Sequence, residues 1–437
     1  QPAGIGPLHN PADFVSFYCG AKAQLAGADP YLNEPLRSCE HAGFAASGVP
    51  MVRNLVVPAP LPAFALAFFT PFALLPFRIA ASLWFLLSVG ATVASGIVLG
   101  RNSGIRAGRL AVVLLGAVLY PSLAFGQVMP LVVLLLVLCG AALRAERPRL
   151  AALLAAAMAL EPHAGLAAIL ALALWVPRAR APLAAVLGGL AALTLAFGGP
   201  ARALEYLTRV LPAQARGEGL DFNAQYGLSA LVHVFGAAPS LALLIGTLSY
   251  LAMLALGLGL APRFARALEE PAALVYAPVA FAMLGGVYVH AYTLAAVLPL
   301  ALAVVMRTRD TGRFALAVAA FVALVVPWEA LSEQSGLIRA LPARAAYVEP
   351  APLLARVAAP HELAERTWAA WLGSMNDRDH RSALELLATK LPTWFGLATI
   401  LALAGAPLAE ARRPVLAEFR PRQWNGSKEA AERGGRR

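Results

Sequence analysis

Two textures alternate along this chain. A polar head covers residues 1–54, and a long series of apolar runs follows it, broken only by short arginine-bearing stretches. Apolar runs at 79–100, 110–123, 127–143, 182–197, 241–260, 272–289, 291–306, 314–326 and 393–408 read as membrane-spanning helices. Between them lie Arg101, Arg106 and Arg109, then Arg144, Arg147 and Arg149, then Arg178 and Arg180. Arg263 and Arg266 follow, then Arg307, Arg309 and Arg313, and finally a basic tail from Arg412. Cationic loops stay on the cytoplasmic side, which fixes the parity of every run between them. The run 150–176 begins and ends at such arginines, so it enters and leaves on one side. It breaks at Glu161-Pro162-His163, where proline removes a helix hydrogen bond and disfavours helix before it. Each arm of about 11–13 residues reaches only about 16–20 Å, against about 30 Å for a crossing. A short hairpin with its tip toward the outer face is expected there, for about 11 crossings in total.

The same parity places the head outside. Residues 55–77 carry Pro58, Pro60, Pro62, Pro71 and Pro76 and read as a juxtamembrane or re-entrant segment. The expected bundle is 78–327 with an outer loop at 198–227, then a second outer loop at 328–391, a last helix at 392–408 and a cytoplasmic tail at 409–437. A helix preceding Gln1 would deliver the head to the outer side and raise the count to about 12.

Composition agrees with an all-α polytopic membrane protein. Of 437 residues 59% are hydrophobic and only 14% charged, against about 25% charged in soluble domains. The net charge of +11 is carried almost wholly by arginine, the lysines being Lys22, Lys390 and Lys428. These cations sit in short clusters between apolar runs, with no basic face interleaved with aromatics, so a nucleic-acid partner is excluded. Cys19 and Cys39 both fall in the outer head, where an oxidising compartment permits a disulfide closing a loop of about 20 residues. No phosphate-cradling GxxxxGK[ST] loop, HExxH or paired CxxC occurs, so neither nucleotide hydrolysis nor a zinc site is expected. The run Asp377-Arg378-Asp379-His380 reads as a solvated face.

Parity gathers candidate chemistry on one face: Asp13, Asp29, Tyr31, Gln127, Glu161, His163, Asn223, Gln225, His290 and Tyr292. Ionisable groups at membrane depth are costly and are functional candidates by default. Asp13 stands in Asp13-Phe14-Val15-Ser16-Phe17-Tyr18-Cys19-Gly20-Ala21-Lys22. Two roles are open to it from position: a general base on a lipid-borne substrate, or the N-cap of a helix starting at Phe14.

These motifs resemble the bacterial GT-C membrane glycosyltransferases grouped with the polyprenyl-phosphate-mannose-dependent alpha-1,2-mannosyltransferases. The likeness rests on Asp13-Phe14 with Gly20-Ala21, Leu25 to Tyr31, Tyr120-Pro121 with Gly126-Gln127, Glu161-Pro162, Asn223 to Gly227, and His290-Ala291-Tyr292. The resemblance implies a GT-C-type bundle of about 11–12 helices with its active site on the outer, periplasmic face of a bacterial inner membrane. It implies an inverting transfer of mannose or a related hexose or pentose from a polyprenyl-phosphate carrier to a lipid, glycan or protein acceptor. Asp13 is then the catalytic base, and no cofactor or metal is needed. Tyr18, Lys22, Asp29, Tyr31, Gln127, Glu161, His163, Asn223, Gln225, His290 and Tyr292 are the substrate-binding candidates. One departure stands out: where many relatives carry Lys-Pro, this chain has Glu161-Pro162-His163. Contact with the carrier phosphate then falls to His163, His290, Lys22 or an outer-loop arginine. A transporter of lipid-linked sugars and a non-catalytic subunit of an envelope-assembly complex are the alternatives. Clustering of the polar residues on one face disfavours a transporter, whose site lies near the midplane between repeats.

Overall fold

A computed structural model of the chain describes residues 11–48, 54–103, 118–338, 358–376 and 381–405. The expected span at 110–123, the 377–380 charge cluster and the basic tail fall wholly or mostly outside those residues. Among the described residues the structure is helical, with two isolated bridges in place of strands.

The head is folded rather than a loop. Helix α1 (Ala12–Leu25) packs on α2 (Asn33–Ser47), and Cys19 and Cys39 join them by a disulfide across a Cα–Cα distance of 5.7 Å. This is the bridge expected between the two head cysteines. Residues 55–62 then run extended into α3 (Ala63–Ala73), which packs against α1, so the proline-rich segment is short and closely applied to the head. Proline accounts for the extended stretch, since each one lacks the N–H that a helix would use.

Among the described residues four helices are long and apolar enough to cross a membrane: Phe77–Arg101, Pro177–Leu220, Pro239–Ala267 and Ala383–Gly405. A fifth span arises if Thr311–Val325 and Trp328–Gln334, bent by 73° at their junction, count as one. The protein is thus a multi-pass membrane protein. Several other apolar runs form helices of 10–17 residues, shorter than the ~20 residues a single crossing requires. Residues 150–176 behave as their proline dictates. Helix α7 (Pro148–Ala157) ends in a 3-10 turn through Leu160, Glu161 turns extended at φ −121°, and α8 (Pro162–Trp175) starts afresh. Buried alanines on both arms let the two helices pack closely: Ala151, Ala152, Ala155 and Ala156 on α7, and Ala164, Ala167, Ala168 and Ala171 on α8.

The segment at 198–227 differs from the expected loop. Helix α9 (Arg180–Glu205) bends at Gly199, where φ is +71°, and continues through a π-turn into α10 (Leu211–Gly217). Apolar positions at helical spacing carry it onward: Leu204, Leu207 and Leu211 are all exposed on the outside of this arm.

The shorter helices run between the same two ends of the bundle. Helix α6 (Met129–Arg144) runs from Gln127 to Arg144, and α8 runs from Glu161 toward Arg178. Helix α13 (Ala273–Gly285), which packs on α12 (Pro239–Ala267), runs the other way, from Glu270 to Tyr288. One end therefore collects arginines, with Arg144 paired to Glu270 through two bonds of 2.7 and 2.9 Å. The opposite end collects the uncharged and acidic candidates.

Candidate active site

Asp13 lies in the first turn of α1, where the unpaired N–H groups and the helix dipole favour an anion. It does not cap the helix: Pro11 holds the N-cap position, and no side chain caps the turn. Its carboxylate Oδ2 instead accepts a 2.6 Å bond from Gln127 Nε2, 114 positions along the chain. Local sequence explains how the two meet. Gly126 adopts φ +76° after the short helix α5 (Tyr120–Phe125), turning the chain so that Gln127 faces α1. A side chain at Gly126 would sit 2.6 Å from Phe14 Cβ, so only glycine allows this approach. Trp84 clamps the joint, stacking on Phe14 at 5.6 Å and donating its indole N–H to the Gly126 carbonyl at 2.8 Å.

Around Asp13 the far end of the bundle closes a polar ring. His290 Nε2 lies 3.0 Å from Glu218 Oε1 and 3.0 Å from Gln225 Nε2. Glu218 also faces Gln214 Nε2 at 2.5 Å, and Gln214 donates to the Tyr288 hydroxyl at 3.0 Å. The backbone sets this register. Gln225 and His290 form an antiparallel bridge, and Tyr226 N–H donates to the Val289 carbonyl at 2.6 Å. Gly227 permits the approach, because a Cβ there would lie 2.7 Å from the Gly286 and Val287 carbonyls. The His290 ring stacks on Tyr292 at 4.7 Å and meets Tyr288 edge-on at 4.9 Å. His163 lies parallel to Tyr288 at 6.2 Å, and its Nδ1 is 3.1 Å from Glu161 Oε1.

Charge balance in the ring is finely set. Burial first, and the nearby Glu218 charge second, push the Asp13 carboxyl up to about 7, against the bond from Gln127 and the attraction of His290. His290 moves upward as well: burial opposes its charge, but the bond and charge of Glu218 outweigh that, helped by Asp13 and Asp221. An acid that is half ionised near neutral pH, beside an imidazole whose charged form Glu218 favours, can exchange a proton and also face an anion. Asp13, Gln127, Glu161, His163, Glu218, Tyr288 and Tyr292 are all partly open to solvent, so the ring faces an accessible space.

The structure thus brings together Asp13, Gln127, Glu161, His163, Gln225, His290 and Tyr292. Other candidates lie elsewhere. Tyr18 is buried, donating to the Leu75 carbonyl at 2.8 Å and packing on Phe77. Lys22 is exposed about 13 Å further along α1, its ammonium 5.9 Å from the Tyr18 ring. Asn223 belongs to a clasp: it bonds Asn376 at 2.7 Å and accepts from Arg381 at 3.1 Å, while Arg381 pairs with Glu329 at 2.7 Å. Asp29 and Tyr31 form a second group with Tyr206. Sequence reasoning missed Glu218, Gln214 and Tyr288. Glu218 sits in Arg216-Gly217-Glu218-Gly219, a stretch that reads as a solvated loop. The usable signal was Tyr288, whose spacing of two from His290 puts both on one face of an extended segment.

Searches of curated proteins and of solved structures return no match. A family profile does match. It is that of glycosyltransferase family 87, over residues 61–289, just over half of the chain. The matched region carries Gln127, Glu161, His163, Gln214, Glu218, Gln225 and Tyr288, while Asp13, His290 and Tyr292 flank it. The membrane-spanning helices and the polar ring at their end therefore belong to a member of glycosyltransferase family 87.

Proposed function

We propose that this membrane glycosyltransferase moves mannose or a related sugar from a polyprenyl-phosphate carrier to a hydroxyl acceptor, inverting the anomeric centre, with Asp13 as general base. The observation that carries the reading is the half-buried Asp13 carboxylate, tuned to about 7 and held by Gln127, across from an imidazole, His290, whose charged form Glu218 favours. Asp13 takes the proton of the acceptor hydroxyl as the oxygen bonds to the anomeric carbon. The bond from that carbon to the phosphate oxygen breaks, and the phosphate leaves with the electron pair. Such a base contributes about 10²–10⁴-fold. The departing anion needs a positive partner aimed at it, a role that suits His290. Glu218 then acts by keeping His290 protonated and oriented. A single displacement needs only one catalytic carboxylate, unlike the pair in a retaining glycosidase. We read the reaction as independent of metal and cofactor, and the ring as facing the periplasmic side of the inner membrane, since the arginine clusters Arg144–Arg147–Arg149, Arg178–Arg180 and Arg263–Arg266 lie at the opposite end of the helices.

The test uses purified protein in nanodiscs with radiolabelled polyprenyl-phosphate mannose and a mixture of envelope lipids and glycans as acceptors. Label should move from carrier to acceptor. If label stays on the carrier with mannose and with every other polyprenyl-phosphate hexose or pentose offered, the donor reading is wrong.

A further inference from the structure

At the arginine end of the bundle, away from the polar ring, the chain builds a cavity that glycosyl transfer does not use. Helix α6 stops at Arg144, and Glu146 at φ +53° turns the chain tightly. Glu146 and Arg147 donate their N–H groups back to the Leu143 and Ala142 carbonyls at 3.1 and 2.8 Å. Helix α7 then starts at Pro148 and packs against the 3-10 turn Pro177–Ala179. The two chain breaks thus set Arg147 and Arg149 around the same space as Arg178. That space is a cavity of about 710 Å³ lined by Glu146, Arg147, Pro148, Arg149, Leu150 and Arg178.

Neighbouring arginines on the same loops are engaged. Arg144 pairs with Glu270 at 2.7 Å, and Arg180 donates to the Ala173 and Leu174 carbonyls at 2.7 and 3.3 Å. Arg147, Arg149 and Arg178 are exposed, and their side chains have no hydrogen-bond or ion-pair partner among the described residues. Three arginines against one glutamate leave the lining at +2. A guanidinium presents a planar fork of donors that matches the oxygens of a phosphate. The other side of the cavity is apolar. Leu150 forms part of its wall, and Leu153 on α7 and Leu174 and Trp175 at the end of α8 are exposed nearby. The Trp175 indole N–H donates to the Leu258 carbonyl at 2.9 Å, and tryptophan collects at headgroup level. A free anion would need only the arginines. Arginines that give way to exposed leucines along a membrane helix fit a ligand with a charged head and acyl chains.

We propose that this cavity binds the headgroup of an anionic phospholipid from the leaflet at the arginine end. Arg147, Arg149 and Arg178 hold its phosphate, the acyl chains lie along Leu150 and Leu153, and Glu146 accepts from the hydroxyls of a glycerol headgroup. A choline headgroup offers no such hydroxyl and leaves the +2 charge uncancelled. The bound lipid secures the base of the α7–α8 hairpin, whose tip carries Glu161 and His163. The site is independent of which sugar is transferred.

Native mass spectrometry tests this. Purified full chain in neutral detergent is titrated with phosphatidylglycerol, with phosphatidylcholine, and with phosphatidylglycerol plus excess inorganic phosphate. The wild type should retain one phosphatidylglycerol in preference to phosphatidylcholine, and inorganic phosphate should not release it. Arg178→Gln should weaken that lipid about fivefold, and Arg147→Gln combined with Arg149→Gln about tenfold or more. Arg307→Gln combined with Arg309→Gln removes the same charge from the same end but outside the cavity, and should leave the lipid bound. The cavity arginines make no bond within the fold, so their variants should keep the wild-type Tm in lipid-free detergent. Equal loss in the two double variants would make binding a property of the whole charged face and overturn the cavity. A wild type that holds no phosphatidylglycerol, or holds phosphatidylcholine as tightly, overturns it too. Release by inorganic phosphate would assign the cavity to the free ion and overturn the lipid.

Discussion

Substitution of Gln127 by methionine should move the pH profile of transfer without abolishing it. Gln127 donates a 2.6 Å bond to the ionised form of Asp13, so it lowers the Asp13 pKa from where burial and Glu218 would leave it. Methionine keeps the length of the side chain and removes the donor. A hydrogen bond to a charged group contributes about 1.5–3 kcal/mol, and about 1.4 kcal/mol corresponds to one pKa unit. Asp13 is partly open to solvent, so water replaces some of that bond, and an upward shift of about one unit is expected. A base must be deprotonated to act, so activity rises with pH through its pKa. In the wild type the rising limb of kcat/KM should be centred at about 7. In Gln127→Met it should be centred at about 8. The ionised fraction at pH 7 then falls about fivefold, while at pH 9 it falls by only about a tenth. Initial rates of transfer from radiolabelled carrier between pH 5.5 and 9.5 resolve this. A uniform loss at every pH, with the limb still at about 7, would show that Gln127 binds substrate and does not tune Asp13.

Three further substitutions test the construction of the site. Gly126→Ala places a Cβ against Phe14 and forces φ +76° on an L-residue; displacing Asp13 from its productive position should cost about tenfold or more in kcat, and wild-type turnover would contradict the close approach. Replacing Cys19 and Cys39 together by serine opens a link between α1 and α2, and denaturation should show a loss of about 3 kcal/mol; unchanged stability would show that packing alone secures the head. His290→Gln keeps a donor for Glu218 but removes the charge facing the carrier phosphate, so the donor KM should rise about tenfold while the acceptor KM holds; an unchanged donor KM would move the phosphate contact elsewhere, with His163 next.

Much of the organisation was legible because proline, glycine and arginine punctuate an apolar chain. Pro162 fixed the break after Glu161, the two head cysteines located the disulfide, and arginine parity put Asp13, Gln127, Glu161 and His290 at one end of the bundle. Helix length was less legible. Apolar composition marks a helix as membrane-embedded but not as crossing alone, and α8 and α13 are held short by Pro162 and by the Gly285-Gly286 turn. The 198–227 segment, set between helices by arginine parity, is itself helical through Leu220, and its leucines recur at helical spacing. Glu218 had no local signal, because its place depends on an antiparallel pairing between Gln225 and His290 across 65 positions. Tyr18 and Asn223 matched a motif, but their bonds serve packing of the head and the clasp to Arg381.

Asp13→Asn puts the central claim to the most direct test. Asparagine keeps the size of the side chain and an oxygen for Gln127, so the helix start and the Gln127 contact survive, and only the proton acceptor is lost. Transfer from polyprenyl-phosphate mannose, measured with saturating donor and acceptor, should fall by about 10²-fold or more, with the donor KM and Tm unchanged. Transfer at the wild-type rate by Asp13→Asn would contradict the account and pass the role of base to Glu218 or Glu161.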